Sequence, residues 1–352
     1  MGEVRVSRAY YYCRCCREGC CPWEGTLGLR SAEMTPGASE MTCLAGILTS
    51  FDEASAKVLP KLTGLRVSAS TVQRITEGTG SALKQRLDEG ETFGPPTPWD
   101  WHTDAQGQRC AYVSLDATGI GQQGPDGSQA EGRMAYVGMI FNPRSRPGAI
   151  GQARYLAGLY ELDELGRQMR RQGAQVGMDA ADRWIGLTDG GNGLESFLQV
   201  QFPRAECILD FYHAAEHLND LAKAWYASED EANALAQKWC QQLKHEGGGA
   251  LLITLEALDR RGRSAATRET YRLVVQYVRN NVHRMDYPRY QANGWLIGSG
   301  HVEAACKTVV GARLKGSGMR WGEAGGDAVC HLRALFKSES PQWDAFWQPS
   351  LN

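Results

Sequence analysis

Ala111-Tyr-Val-Ser-Leu-Asp116, Arg133-Met-Ala-Tyr-Val-Gly-Met-Ile-Phe141 and Ala153-Arg-Tyr-Leu-Ala-Gly-Leu-Tyr160 follow one another, separated by turns rich in Gly, Pro and Asp. These apolar, partly alternating runs read as strands, and their spacing suits an antiparallel meander. The period then changes. Residues 161–172 set Leu162, Leu165 and Met169 at helical spacing, 184–189 read as a fourth strand, 194–200 as a helix, and 207–210 as a fifth strand. Three strands followed by alternating helix and strand predict an α/β domain, a mixed five-stranded sheet with helices on its faces.

Downstream, 213–289 reads as helical: Leu218, Leu221, Ala222 and Trp225, then Tyr271, Val274, Val275 and Val278, keep the spacing of one apolar helix face. This predicts an all-helical insertion over about 213–292 within a domain spanning 110–340. Between 256 and 289 eight Arg stand against Glu256, Asp259, Glu269 and Asp286. That surplus fits a solvated helix face before it fits an anion surface.

Upstream, 93–109 combine Gly, Pro and acids without periodicity and predict a linker. Residues 41–92 are helical, with Leu44, Ile47, Leu48, Phe51, Ala54, Val58, Leu59 and Leu62 three or four apart and Ser50 as an N-cap before Asp52 and Glu53. Gly64 breaks the helix and Ser68 or Ser70 restarts it, with Val72, Ile75, Leu83 and Leu87 inward. This pattern fits a helix-turn-helix that offers Ser70, Thr71, Gln73 and Arg74 to a DNA groove, and it fits plain helical packing as well. Residues 1–40 form a Cys-rich segment, with a short β run over 4–12 leading into Cys13, Cys15, Cys16, Cys20 and Cys21.

At 352 residues the chain exceeds the roughly 250–300 at which one core stops growing, so a large domain plus a smaller unit is expected. Its 38 Lys and Arg against 40 Asp and Glu confine any anion site to a local patch. No run of 18 apolar residues and no signal-peptide layout at Met1 are found, so the expectation is a cytoplasmic chain with no membrane partner. With an odd 11 Cys, reduced thiols are expected: a metal candidate in the cluster, and core residues at Cys43, Cys110, Cys207, Cys240, Cys306 and Cys330.

Asp116 is expected at one strand tip, before Ala-Thr-Gly, and Asp189 at another, before Gly-Gly, where small residues would let a substrate backbone approach. One such acid is a common turn former. Two on neighbouring strands, joined by a third acid on a helix, make a site for two Mg²⁺ ions about 3.5–4 Å apart. Glu303 is the best-placed third acid, on a helix opened by Gly298-Ser-Gly with Ser299 as its N-cap. Lys307 shares its face at i+4, which fits a phosphate contact or an ordinary salt bridge. Arg313, Lys315, Arg320 and Trp321 tilt the region toward a phosphate surface, since Trp321 could stack on an unpaired base.

Leu115-Asp116-Ala-Thr-Gly, Leu187-Thr-Asp189-Gly-Gly, Asp210-Phe-Tyr-His213, Gly298-Ser-Gly-His-Val-Glu303 and Gly316-Ser-Gly-Met-Arg-Trp321 together resemble the DDE transposases of the Kra-type bacterial insertion sequences. The resemblance covers almost the whole chain, including Thr35-Pro36 and the helix-turn-helix. It implies an RNase H-like catalytic domain with Asp116, Asp189 and Glu303 as a triad holding two Mg²⁺ or Mn²⁺, a helical insertion between the second Asp and the Glu, and Asp210 and His213 near the active site. It implies DNA partners, the terminal inverted repeats and a target, bound by a homo-oligomer that joins the nucleoid. Family members carry a Cys-x-x-Cys pair ahead of the Tyr-rich strand and a second like Cys13 and Cys16; the sequence before Tyr10 lacks the first. A zinc site built from Cys13, Cys16, Cys20 and Cys21 alone would be cramped, so zinc is left open. The alternative, from another class, is a non-catalytic DNA-binding protein derived from such an enzyme.

His213-Ala-Ala-Glu216-His217 also matches His-x-x-Glu-His, which on a helix can bind zinc through both His with the Glu as a peptidase base. Leu218, Leu221 and Trp225 account for the same stretch as a packing helix, and no third ligand is evident from the sequence.

Overall fold

The computed structural model describes residues 7, 9–23, 34–143, 150–191, 193–339 and 341–348. At the start, β1 (Tyr11–Tyr12) and β2 (Gly19–Cys20) pair antiparallel. The rest of the β run expected over 4–12 lies mainly outside the described residues. Helix α1 (Pro36–Leu48) begins on the Thr35 hydroxyl, which accepts from the Ala38 N–H, with Pro36 pre-set at its first position.

Helix α2, over 51–62, joins Phe51–Glu53, a π turn Ala54–Val58 and Leu59–Leu62. Pro60 lacks an N–H and crowds the carbonyl four residues back, which accounts for the widened turn. After Gly64, at φ +77°, α3 (Ala69–Asp88) starts with Ser68 Oγ accepting from the Thr71 N–H. Two helices and a turn thus stand where expected, with Val72, Leu83 and Leu87 buried and Ile75 half-buried.

The sheet has six strands. A two-residue β3 (His102–Thr103) pairs with the start of β4 (Arg109–Gln123), which with β5 (Gln129–Pro143) and β6 (Ile150–Gly158) forms the expected meander. Helix α4 (Leu162–Gln175) crosses to β7 (Arg183–Thr188), parallel to β4, and α5 (Leu194–Gln201) to β8 (Ala205–Leu209), parallel to β7. The order is β6-β5-β4-β7-β8, a mixed sheet. The β4 strand outruns its predicted extent because its Gly- and Gln-rich tail pairs with β5 as far as Gln123 and Gln129.

Alternation along β4 sorts the core. Ala111, Val113 and Leu115 face one cluster with α4 and α5, while Tyr112 faces the other, with the insertion. That insertion comprises α6 (Phe211–Trp225), α7 (Glu229–Glu256, broken at Gly247), α8 (Ala265–Asn281) and α9 (Tyr287–Ala292). Four of its eight Arg over 256–289 are paired or buried: Arg272 with Glu269, Arg279 with Glu256, Arg289 with Asp286 and Glu206, and Arg284 inside. Helix α10 (Gly300–Ala305) continues through a π turn, Cys306–Gly311, into Ala312–Leu314, and α11 (Glu323–Lys337) and α12 (Gln342–Trp347) follow.

The helix-turn-helix does not stand apart. Ile47, Leu83 and Leu87 share a core with Val113, Leu115, Leu332 and Leu335. A Cβ on Gly80 would sit 2.3 Å from the Ala328 carbonyl oxygen, so α3 and α11 touch backbone to backbone. Residues 93–109 are not a loose linker either. Phe93, Trp99 and Trp101 are buried in the same core, and the Thr97 and Trp99 N–H groups donate to the carbonyls of Gln175 and Val176. Among the described residues, no helix is long and apolar enough to cross a membrane.

Candidate active site

Asp116 does not end its strand. It lies within β4, opposite Val137 on β5, but β7 pairs with β4 only as far as Ser114 and Leu187. What ends beside Asp116 is the neighbour, so its carboxylate stands in the notch where β7 stops. Asp189 follows β7 directly, and its Oδ1 accepts the Gly191 N–H at 2.8 Å. Gly190 was expected to admit a substrate; it makes room for Tyr277, whose Cε2 would be 2.3 Å from an added Cβ.

Glu303, on α10, accepts from Lys307 Nζ at 2.6 Å, the i,i+4 pair seen in the sequence. Asp116, Asp189 and Glu303 line one pocket of about 240 Å³ with Asp210, His213 and Glu216. Burial pushes the Asp116 carboxyl above the ordinary aspartate range, and the charges of Asp189 and Glu303 push the same way, against hydrogen bonds from the Ala117 N–H and the Cys306 thiol. Among the described residues, no three His, Cys, Asp or Glu side chains are gathered closely enough to hold an ion. The triad carboxylates each turn to other partners: Asp116 to Ala117 and Cys306, Asp189 to Gly191, Glu303 to Lys307.

Two supports were not visible in the sequence. Buried Arg284 donates from Nη1 to Thr188 Oγ1 at 3.0 Å and from Nη2 to the Asp189 carbonyl at 3.4 Å, while Nε lies 3.5 Å from Glu195. It clamps the end of β7. Cys306, expected simply as core, donates its thiol to Asp116 Oδ2. Ser299 also differs from expectation. It makes no side-chain cap; its hydroxyl donates to Asp210 Oδ2.

On α6, His213 Nδ1 lies 3.7 Å from Glu216 Oε2, and the His217 ring packs 4.1 Å from that of Tyr277. Burial, then the nearby His213, hold His217 below its ordinary range. No third side chain joins His213 and His217 in a metal-holding group among the described residues.

Of the candidate DNA contacts, Ser70, Gln73, Arg313, Arg320 and Trp321 line a second pocket of about 420 Å³, between the N-terminal ends of α2 and α3 and the loop before α11. Asp52 and Glu77 stand there too. Ser70, Gln73, Arg74 and Arg320 are exposed and Thr71 is half-buried. Trp321 and Arg313 are corrections. The ring of Trp321 is buried, edge-on to Phe51 at 5.9 Å with the Arg313 guanidinium 4.8 Å from it, so it ties the helical unit to the sheet and has no open face for a base. Arg313 is buried and donates to the Gly46 carbonyl. Lys307 and Lys315 lie on the active-site side; Lys315 donates to Thr118 Oγ1 at 2.8 Å, two residues past Asp116.

In the β1–β2 hairpin, Cys13, Cys15, Cys16 and Cys20 are exposed and Cys21 half-buried, all as thiols. The Cys16 and Cys15 N–H groups hold the Cys13 thiol below its ordinary range. The candidate zinc set Cys13, Cys16, Cys20 and Cys21 is not gathered as a metal group.

No known protein-family model matches the chain, and no curated protein is significantly similar to it.

Proposed function

We propose that the chain is a DDE transposase, cutting and joining DNA strands at insertion-sequence ends through an RNase H-like domain. One observation carries this: three acids far apart in sequence, Asp116 on the central strand, Asp189 at the end of its parallel neighbour and Glu303 on a helix packed over the sheet, converge on one pocket. The strand order, an antiparallel meander followed by two parallel strands on the other side, supports the RNase H-like part.

The donor set is all carboxylate, which suits Mg²⁺ or Mn²⁺ better than zinc, and Asp116, Asp189 and Glu303 would hold them. Two such ions, when bound, would activate water or a DNA 3′-hydroxyl and neutralise the leaving oxygen. The chain's own residues do the rest. Arg284 fixes the end of β7 and hence Asp189. Cys306 fixes the Asp116 carboxylate, and Lys307 and Lys315 supply positive charge for phosphates at the rim. Ser70, Thr71, Gln73, Arg74 and Arg320 supply the DNA contacts outside the pocket.

The test incubates purified protein with DNA carrying the element ends, in Mg²⁺ or in EDTA. Strand breaks at the ends in Mg²⁺ alone, lost on replacing Asp116, Asp189 or Glu303 by Ala while DNA binding persists, are the expected result. Binding without breaks by the unaltered protein would leave a non-catalytic DNA-binding protein instead.

A further inference from the structure

We propose that Asp210 is a positioning residue that fixes Glu303 in the cleft through Ser299, and not a further metal ligand. This rests on the reading of the cleft given above. Asp210 follows β8 and, though it lines the pocket, is buried, with relative exposure of 7%. Both of its carboxylate oxygens have partners. Oδ1 accepts the Tyr212 N–H at 2.7 Å and the His213 N–H at 3.4 Å, which starts α6; Oδ2 accepts the hydroxyl of Ser299. Three of the roughly four lone-pair sites of Asp210 are thus engaged, one more than on Asp116, and the strongest of these bonds go to the chain's own corner, which suits a support better than a ligand.

Ser299 passes this constraint to Glu303. Its carbonyl accepts the N–H groups of Val302 at 2.9 Å and Glu303 at 3.2 Å, so the residue gripped by Asp210 is the one that starts the Glu303 helix. Two further contacts fix the junction. The Phe211 N–H donates to the Ile297 carbonyl at 2.8 Å, and the Tyr212 ring lies over Gly298, where an added Cβ would be 2.6 Å from Cε2. The corner after β8 and the start of α10 are thus stitched side to side. Asp210 brings a carboxylate to the stitch, and hydrogen bonds to a carboxylate are the stronger and more directional kind.

The test uses the full chain with Mn²⁺ as the probe, free ion counted by electron paramagnetic resonance, and amide hydrogen exchange as a second readout. Ser299→Ala should weaken Mn²⁺ uptake about tenfold, the low end of what loss of a ligand's supporting partner does, while Ser299→Thr, which keeps the hydroxyl, stays near the unaltered protein. In a Glu303→Gln background, Ser299→Ala should have no further effect, because the residue it acts through is already gone. Amides 299–305 should exchange faster in both Ser299→Ala and Asp210→Ala.

Unchanged exchange there, or Mn²⁺ uptake lost in Asp210→Ala but intact in Ser299→Ala, would overturn the proposal; the second result would make Asp210 a ligand. If the unaltered protein takes up no Mn²⁺, the metal-dependent reading fails by itself. Exchange at 299–305 then still decides whether Asp210 and Ser299 hold the helix.

Discussion

The thiol of Cys306 lies 3.4 Å from Oδ2 of Asp116, so the helix bearing Glu303 touches the strand bearing the first acid inside the cleft. The contact is made by the first residue of the π turn Cys306–Gly311, one turn after Glu303, and such turns recur at functional sites.

Asp116 carries a stability cost that a neutral isostere should remove. Burial, and then the neighbouring acids, raise its carboxyl above the usual range. A raised group stabilises the fold in its protonated form. That contribution is full below the unfolded-state value of about 3.9 and is lost as pH rises through the folded-state value. At neutral pH the ionised carboxylate therefore works against folding. Asp116→Asn should raise the Tm of the metal-free protein at pH 7, with the gain shrinking toward pH 3, while abolishing DNA cleavage. Calorimetry across pH in EDTA checks this, and an Asn variant less stable than the unaltered protein at pH 7 would sink it.

Arg284→Ala should cost about 3 kcal/mol, because removing a buried cation strands the groups it served. Those are Thr188 Oγ1, the Asp189 carbonyl and Asn281 Oδ1. Lys should not rescue it, since one ammonium cannot reproduce the planar fork. The readout is the urea midpoint at unchanged slope. A midpoint within error of the unaltered protein would show that the clamp is dispensable.

The docking of the helical unit should fail at two separable places. Trp321→Ala removes a buried indole against Phe51 and Arg313 and should cost about 3–5 kcal/mol. Gly80→Ala sets two effects against each other. Helix propensity favours Ala by about 1 kcal/mol, whereas overpacking costs about 1–3 kcal/mol. Here the obstructing atoms are the Ala328 backbone, which cannot swing aside as a side chain would, so destabilisation should win. Arg320→Ala, at an exposed position, should leave unfolding unchanged and flatten the salt dependence of DNA binding by about one log–log unit. A stabilised Gly80→Ala protein would mean that α3 and α11 are less tightly apposed than their backbones indicate.

What the sequence disclosed was local. The alternation in 111–116, the Gly-Gly after Asp189 and the Gly-rich start before Glu303 are written within a few residues, and the mixed character of the sheet followed from the change of period after residue 160. What it hid depends on distant pairing. Where β7 ends relative to β4 decides how Asp116 is exposed, and nothing near Asp116 encodes that. Trp321 sits in a Gly-Ser-Gly loop that looks solvent-facing, yet its partner Phe51 is in another helix. Arg284 resembled its seven neighbouring arginines until Thr188 and Asn281 were placed around it. Pro and Gly in 93–109 marked a stretch that holds little regular structure beyond the two-residue β3 and the first residue of β4, but Phe93, Trp99 and Trp101 show that irregular chain can still be core.

Glu216 separates DNA cleavage from peptide hydrolysis. Its carboxylate is mostly exposed, with side-chain exposure of 78%, and its link to His213 is a single 3.7 Å contact. Such pairs contribute less than about 1 kcal/mol, so for a DNA-cleaving enzyme Glu216→Gln should change the rate by less than about fivefold. Asp189→Ala should instead remove cleavage, because a member of the carboxylate triad is lost. A peptidase reverses this order. There Glu216 would be the base for a zinc-bound water, so Gln at this position should eliminate hydrolysis while Asp189 becomes dispensable. Both activities are measured in both variants, with zinc by elemental analysis in His213→Ala and His217→Ala. Stoichiometric zinc that vanishes in the two His variants, with peptide cleavage indifferent to Asp189, would overturn the proposed DNA-cleaving function. Zinc content unaffected by either His, with DNA cleavage lost in Asp189→Ala alone, is the expected outcome, because the ring of His217 is already packed against Tyr277 and no third side chain completes a set with His213 among the described residues.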